Sequence, residues 1–179
     1  MSLIARLKSG ETLGDRVIKV DHAGEHGAIC IYTAQRWLAR WRAPEMVREL
    51  DDFLAHERGH RERFGAELHR RGVPRCRSYF WCGVGGFALG CITGLAGRQA
   101  IAATTVAIES VVLRHMREQL QILNGTDPPA VAILHQIIGE EQAHHDVSVK
   151  WLEYGAWPKL IMPIVSRSTE AVIWLGMRL

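Results

Sequence analysis

Apolar residues recur three and four positions apart along most of the chain, and alternating apolar and polar runs of the strand type are few. This pattern predicts helices almost throughout, with breaks at Gly, Pro and Asn. Asp15 is the expected cap of a first helix ending near Trp41, and Pro44 suits the first turn of a second that stops near "RRGVP", 70–74. A third helix is expected from about Arg98 to "NG", 124–125. A fourth follows "TDPP", 126–129, with Thr126 or Asp127 as cap, and should end near Gly155. The apolar segment "PKLIMPIVSRSTEAVIWLGMRL", 158–179, closes the chain. No low-complexity linker interrupts the pattern, so residues 1–179 read as a single domain.

Between the second and third helices lies "SYFWCGVGGFALGCITGLAG", 78–97, twenty uncharged residues bracketed by Arg77 and Arg98. By length it could cross a bilayer. Gly86, Gly90 and Gly94 fall on one helical face and would allow close packing, although the six glycines of the segment weaken a free-standing helix.

Two polar intrusions break the amphipathic pattern: "DHAGEHGA" at 21–28 and "AHERGH" at 55–60. Comparing the chain with itself explains them. Glu25 is followed by Glu57 and then His60, and Glu109 is followed at the same spacing by Glu141 and then His144, so that one constant shift carries the first set onto the second. Residues three apart on a helix share a face, so each Glu-x-x-His presents both side chains to one point. Two antiparallel hairpins would then gather four carboxylates and two imidazoles inside a bundle, the arrangement of ferritin-like di-iron and di-manganese proteins. The flanks "ICIY", "TTVAI" and "VVL" are apolar, and buried carboxylates need a compensating charge, which two metal ions supply. A carboxylate-rich site with two nitrogens suits iron or manganese better than structural zinc. Iron is favoured, because two ferrous ions can deliver two electrons to dioxygen.

The blocks "DHAGE" at 21–25, "HERGH" at 56–60, "VAIES" at 106–110 and "EEQAHHD" at 140–146 resemble those of the demethoxyubiquinone hydroxylase family, from about Arg16 to Leu179 and including "GFALG" at 86–90. The resemblance implies iron ligation by Glu25, Glu57, His60, Glu109, Glu141 and His144. It also implies hydroxylation of a demethoxyubiquinol ring by dioxygen, with electrons ultimately from NADH. The chain departs from the common pattern at His26 ("GEHGA" for "GEYGA"), at Ser110 (for a second glutamate) and at Met116 ("HM" for "HY"). These changes alter the polar donors beside the ligands, since Met116 cannot donate a proton; His26 is the candidate replacement. His115, six residues after Glu109, is displaced around the helix from the ligand and is read either as a catalytic residue facing the site's approach or as a polar helix histidine. Asp21 either holds a ligand histidine's outer nitrogen or is a surface carboxylate. His145 and Asp146 project to other faces, with at least one expected in solvent or behind the ligands.

Composition adds limits. A chain of 179 residues with 47% hydrophobic content can bury a sizeable core. Its net charge of +3 is too weak to imply nucleic acid, yet compatible with an acidic membrane surface. The basic run "RGHRERFGAELHRRGVPRCR", 58–77, either opposes a helix dipole or faces anions or lipid. Cys30, Cys76, Cys82 and Cys91 form neither a C-x-x-C pair nor a disulfide framework and read as reduced, packed thiols. The six tryptophans read as core or interface fillers. "GVGGFALG" lacks the preceding strand of a dinucleotide fingerprint, so NADH would bind without a Rossmann domain. No secretory signal pattern follows Met1.

The resulting expectation is an all-α ferritin-like four-helix bundle with a long apolar crossover and an added C-terminal amphipathic helix. It would act as a di-iron monooxygenase on a polyprenyl quinol. It would sit peripherally on a membrane surface: the cytoplasmic face of the inner membrane or, in a eukaryote, the mitochondrial inner membrane. A second copy or a complex of ubiquinone-biosynthesis proteins is a further candidate partner. The alternatives are a ferritin-like iron-storage or peroxide-handling protein, and a membrane-bound interaction protein with a vestigial site. Because residues 78–97 separate the two half-sites in sequence, a single bilayer crossing there would place them on opposite sides, so both apolar segments are expected at the membrane surface.

Overall fold

The computed structural model describes residues 5–153 and 155–179. Among them are six helices and no strand: α1 (Leu13–Arg42), α2 (Val47–Arg71) entered by a 3-10 turn at Pro44–Met46, α3 (Tyr79–Ala96), α4 (Arg98–Leu123), α5 (Pro128–Val149) and α6 (Ala156–Gly176). The all-α ferritin-like class is therefore the one observed.

Helix ends follow local chemistry, with two differences from expectation. The cap of α1 is Thr12, and Asp15 is its reciprocal partner: the Thr12 hydroxyl accepts from the Asp15 N–H at 3.1 Å, while the Asp15 carboxylate accepts from the Thr12 N–H at 3.0 Å. Both groups satisfy donors that the helix start leaves unpaired. Asp127 caps α5 by accepting from the Ala130 N–H. Arg71 at the end of α2 donates to Asp15 at 3.0 Å and to Asp127 at 2.7 Å, tying three helix ends together. The second difference is that α5 stops at Val149 instead of near Gly155. Tertiary bonds capture the chain there: the Trp151 carbonyl accepts from Gln99, the Trp151 indole N–H donates to Glu49, and the Glu153 N–H donates to Gln99.

Helices α1, α2, α4 and α5 form the bundle. α3 lies along α1 and runs parallel to it, since Gly86 meets Gly27, Gly90 meets Ile31, and Gly94 meets Leu38. An added Cβ at Gly90 would collide with the Ile31 carbonyl oxygen and lie 2.9 Å from the Ala34 Cβ. The glycine face therefore sets how closely α3 approaches α1. α6 lies along α4 in the same sense, with Glu170 reaching His115 and Ile161 sharing a cluster with Ile101. The internal repeat thus extends beyond the motifs to two three-helix units, each with an outer helix parallel to its first.

Two apolar clusters flank a polar layer. One holds Ile29, Tyr32, Phe53, Leu54 and Ile101–Ala103; the other holds Val17, Ile18, Phe64, Met116, Leu134 and Ile137. Glu25, Glu57, Glu109 and Glu141 fall between them along their helices. The outer helices are apolar toward solvent: Phe80, Trp81, Phe87, Ile92 and Leu95 of α3, and Trp157, Leu160, Ile164, Trp174 and Leu175 of α6, are all exposed. Five of the six tryptophans are exposed, which leaves core filling only to half-buried Trp151.

Candidate metal centre

Each bundle helix contributes to the layer for a reason of register. Glu57 and His60 are one turn apart on α2, and Glu141 and His144 are one turn apart on α5, so both pairs point inward together. Glu25 on α1 and Glu109 on α4 meet them from the other side. The six residues predicted from the repeat are brought into two groups whose ligand atoms lie within 4.8 Å of one another: Glu25, Glu57, His60 and Glu141, and Glu57, Glu109, Glu141 and His144. Glu57 and Glu141 belong to both. All six are buried, none more than 6% exposed.

The two imidazoles point their Nδ1 atoms into the layer. His60 Nδ1 lies 2.9 Å from Glu141 Oε1, 3.7 Å from Glu25 Oε2 and 3.8 Å from Glu57 Oε2. His144 Nδ1 lies 3.3 Å from Glu57 Oε1 and 3.5 Å from Glu141 Oε2. Neither Nδ1, nor Glu57 Oε1, makes a hydrogen bond, although all three are buried. Buried polar atoms without partners are costly in a folded protein, and convergent lone pairs of this kind fit a cation.

The outer nitrogens are held by residues that the repeat does not reveal. His60 Nε2 lies 2.7 Å from Glu140 Oε2, and His144 Nε2 lies 3.0 Å from His56 Nδ1. With Nδ1 used as a metal ligand, Nε2 carries the proton and donates outward, to a carboxylate in one half and to a second imidazole in the other. Glu140 and His56 take the place considered for Asp21, which instead accepts from Gln119 at 3.0 Å. Burial pushes the Asp21 carboxyl up to about 7 despite that bond.

Tyr32 is a further member. Its hydroxyl donates to Glu109 Oε1 at 2.8 Å, and it lies seven residues after Glu25, two turns along the same face of α1. That spacing is legible in the sequence; the positions of Glu140 and His56 require the packing of α2 against α5. Met116, where a tyrosine is common, is buried in the second apolar cluster. His26 does not replace that phenol: its ring stacks on Tyr79 with centroids 4.1 Å apart, and its Nδ1 is unpartnered. His115 is turned to α6, with Nε2 3.0 Å from Glu170 Oε2, because six residues along α4 carry it well around the helix from Glu109. His145 and Asp146 pair with each other at 2.9 Å, and Asp146 is exposed.

Four carboxylates in one dry layer perturb one another. Burial first, and then repulsion from Glu57, pushes Glu25 well above the usual carboxylate range; burial and repulsion from Glu141 and Glu57 do the same to Glu109. Burial disfavours charge on His144 as well, but contacts with Glu141 and Glu57 outweigh it and raise the ring to about 9. His60 is raised further by Glu141, Glu25 and Glu57. Without a cation the layer gathers protons, and a metal would replace them.

Comparison with known proteins places the chain. The family model described as "Ubiquinone biosynthesis protein COQ7" matches residues 12–176. The chain is 32% identical over 184 residues to a Dictyostelium discoideum protein named NADPH-dependent 3-demethoxyubiquinone 3-hydroxylase, mitochondrial, covering 99% of this chain and 83% of that one. It is 34% identical over 175 residues to 3-demethoxyubiquinol 3-hydroxylase of Rhodospirillum rubrum, covering 95% and 80%. It is 31% identical over 182 residues to 5-demethoxyubiquinone hydroxylase, mitochondrial, of Saccharomyces cerevisiae, covering 92% and 78%. Matched from the first turn of α1 to the end of α6, the chain belongs to the COQ7 family of ubiquinone biosynthesis proteins.

Proposed function

We propose that this protein is a di-iron monooxygenase that hydroxylates the ring of a demethoxyubiquinol during ubiquinone biosynthesis. One observation carries the reading: two buried Glu/His groups share Glu57 and Glu141, as a pair of adjacent ions would require. The hydroxylase names of the relatives support the reaction. One iron would be held by Glu25, Glu57, His60 and Glu141, the other by Glu57, Glu109, Glu141 and His144. Two ferrous ions held there would supply the two electrons needed to activate dioxygen.

The chain's own residues do the rest. Glu140 and His56 fix the two imidazoles, and Tyr32 holds Glu109 by its hydroxyl. The apolar clusters on either side keep bulk water from the layer. His115, bonded to Glu170, acts as a positioning residue that holds α6 on α4; Arg114 also pairs with Glu170. The substrate is a polyprenyl quinol, and the reducing equivalents come from a nicotinamide dinucleotide.

Such a substrate resides in lipid. Among the described residues one helix, α3, is long and apolar enough to cross a membrane, with a mean hydropathy of 1.4. It packs along α1, the helix that carries Glu25, and the polar-layer residues lie on both sides of it in sequence. A peripheral attachment through the exposed apolar faces of α3 and α6 fits both facts. The surface would be the cytoplasmic face of a bacterial inner membrane or, in a eukaryotic cell, the mitochondrial inner membrane. Residues 1–179 would act as one unit, because each half supplies only part of either ligand group.

The test is reconstitution with ferrous iron, a short-tailed demethoxyubiquinone, reductant and labelled dioxygen. A single labelled oxygen in the product ring is expected by mass spectrometry. Mineralised iron with an untouched quinone would replace this reading with storage.

A further inference from the structure

Asp21 stands on α1 one turn before Glu25, and residues four apart share a helix face, so its carboxyl lies just outside the metal layer. Its surroundings supply no compensating charge. Glu11 is held by Arg16 and Lys19, and Asp15, Glu67 and Asp127 are held by Arg71, whereas Asp21 forms no ion pair among the described residues. What it meets is the carboxamide of Gln119 on α4, a residue 2% exposed, which donates from Nε2 to Asp21 Oδ1 at 3.0 Å.

The other two oxygens of this pair, Asp21 Oδ2 and Gln119 Oε1, are both buried and both without a hydrogen-bond partner. An ionised carboxylate and an amide carbonyl offer only lone pairs, so they cannot satisfy each other. One proton on Oδ2 satisfies both: the acid O–H donates to Gln119 Oε1 while the Gln119 N–H donates to Oδ1, closing a ring of two hydrogen bonds. Burial without a cation already pushes the Asp21 carboxyl up to about 7. A bond that only the acid form can make holds the proton more firmly still.

We propose that Asp21 and Gln119 form a closed acid–amide pair that stores a proton beside the metal layer and releases it during oxygenation. The use of that proton rests on the proposed function. Converting a ring C–H to C–OH with one atom of dioxygen, and releasing the other atom as water, takes up two electrons and two protons. The reduced nicotinamide dinucleotide supplies the electrons, but the apolar clusters that keep bulk water from the layer also keep out its protons. Asp21 yields its O–H proton to the layer and remains as a carboxylate that still accepts from Gln119. It reloads from solvent, because the residue as a whole is only half-buried.

The experiment labels the full-length, iron-loaded protein with 13C at the aspartate side-chain carboxyl and records its infrared spectrum at pH 7. The expected result is a protonated-carboxyl stretch that moves with the label in wild type and is missing from Asp21→Asn. It should shift in Gln119→Leu, which keeps the acid and removes its ring partner. Circular dichroism and iron content, expected at wild-type values, check both variants. In turnover, Asp21→Asn should slow oxygenation roughly 10²-fold, the lower end of a positioned proton donor's contribution, with a larger solvent deuterium isotope effect than wild type. A purely structural role would lower the rate and leave the isotope effect unchanged, and that result would overturn the proposal. So would the absence of any labelled acid band in wild type, which would mean an ionised Asp21 bridged by water, or a band that persists in Asp21→Asn. Should Asp21→Asn fail to fold, wild type and Gln119→Leu still decide whether the pair holds a proton. An untouched quinone in wild type would overturn the proposed function, and the infrared band would report on the acid–amide pair independently.

Discussion

The Tyr32 hydroxyl donates to Glu109 Oε1 at 2.8 Å, joining α1 to α4 inside the polar layer. The bond spans the two halves of the repeat and engages a carboxylate that burial and its neighbours otherwise drive toward protonation. Tyr32→Phe should therefore leave the fold intact but lower metal affinity or turnover about 10–100-fold, as loss of a group behind a ligand typically does. Iron content after dialysis and single-turnover oxygenation would measure it. Wild-type values for both would reduce Tyr32 to packing.

Glu140 and Glu141 are adjacent in sequence but differ in role. Glu141→Ala, like Glu57→Ala, should abolish activity and substantially reduce iron occupancy, because each residue belongs to both ligand groups. Glu140→Ala should retain iron more weakly, by about 10–100-fold, since it only holds the outer nitrogen of His60. Metal analysis of the three variants decides; equal losses at 140 and 141 would contradict the distinction.

The glycines of α3 make opposite predictions according to face. Gly90→Ala forces a Cβ onto the backbone of Ile31 and should destabilise by about 1–3 kcal/mol, an overpacking cost. Gly85→Ala meets nothing within 4 Å and should stabilise by about 0.5–1 kcal/mol through lower unfolded-chain entropy. Thermal denaturation of both variants gives the test, and a shift of the same sign in each would remove the assigned α1–α3 packing.

Acid sensitivity should pass partly through Glu11. Burial opposes its ionisation, yet hydrogen bonds from Arg16 and Lys19 and from the Lys8 N–H overcome this and pull the carboxyl down to about 2. A carboxyl with a depressed folded pKa contributes stability that is fully present above its unfolded value, near 4.5, and is lost as pH falls toward about 2. The stability gap between wild type and Glu11→Gln should accordingly narrow between pH 5 and pH 3. Urea unfolding at the two pH values measures it, and a constant gap would exclude the ion cluster as its cause.

Peripheral attachment predicts one-sided accessibility. Tags inserted after Gly10 and after Gly125, both in exposed turns, should be reached by a thiol label from the same, cytoplasmic side of sealed vesicles. Labelling from opposite sides would sink both the interfacial placement and the intramolecular metal centre.

The two equally spaced copies of Glu and Glu-x-x-His already determine the helices that face each other and the six side chains that meet. They do so because helical periodicity is a local property and buried carboxylates have few other uses. Cap chemistry at 126–127 was legible as a choice of two, which the structure gives to Asp127, whereas Thr12 and Asp15 exchanged the expected role within one reciprocal motif. What sequence could not decide depends on contacts between helices distant along the chain. Glu140 and His56 reach the outer nitrogens only once α2 lies against α5, and His115 turns to α6 only once α6 lies on α4. Likewise, the twenty uncharged residues at 78–97 are long enough to cross a bilayer, and the half-sites on either side of them already argued for a surface position. Tertiary structure decided their packing partner, because Gly86, Gly90 and Gly94 admit the α1 backbone to a distance that any side chain would forbid.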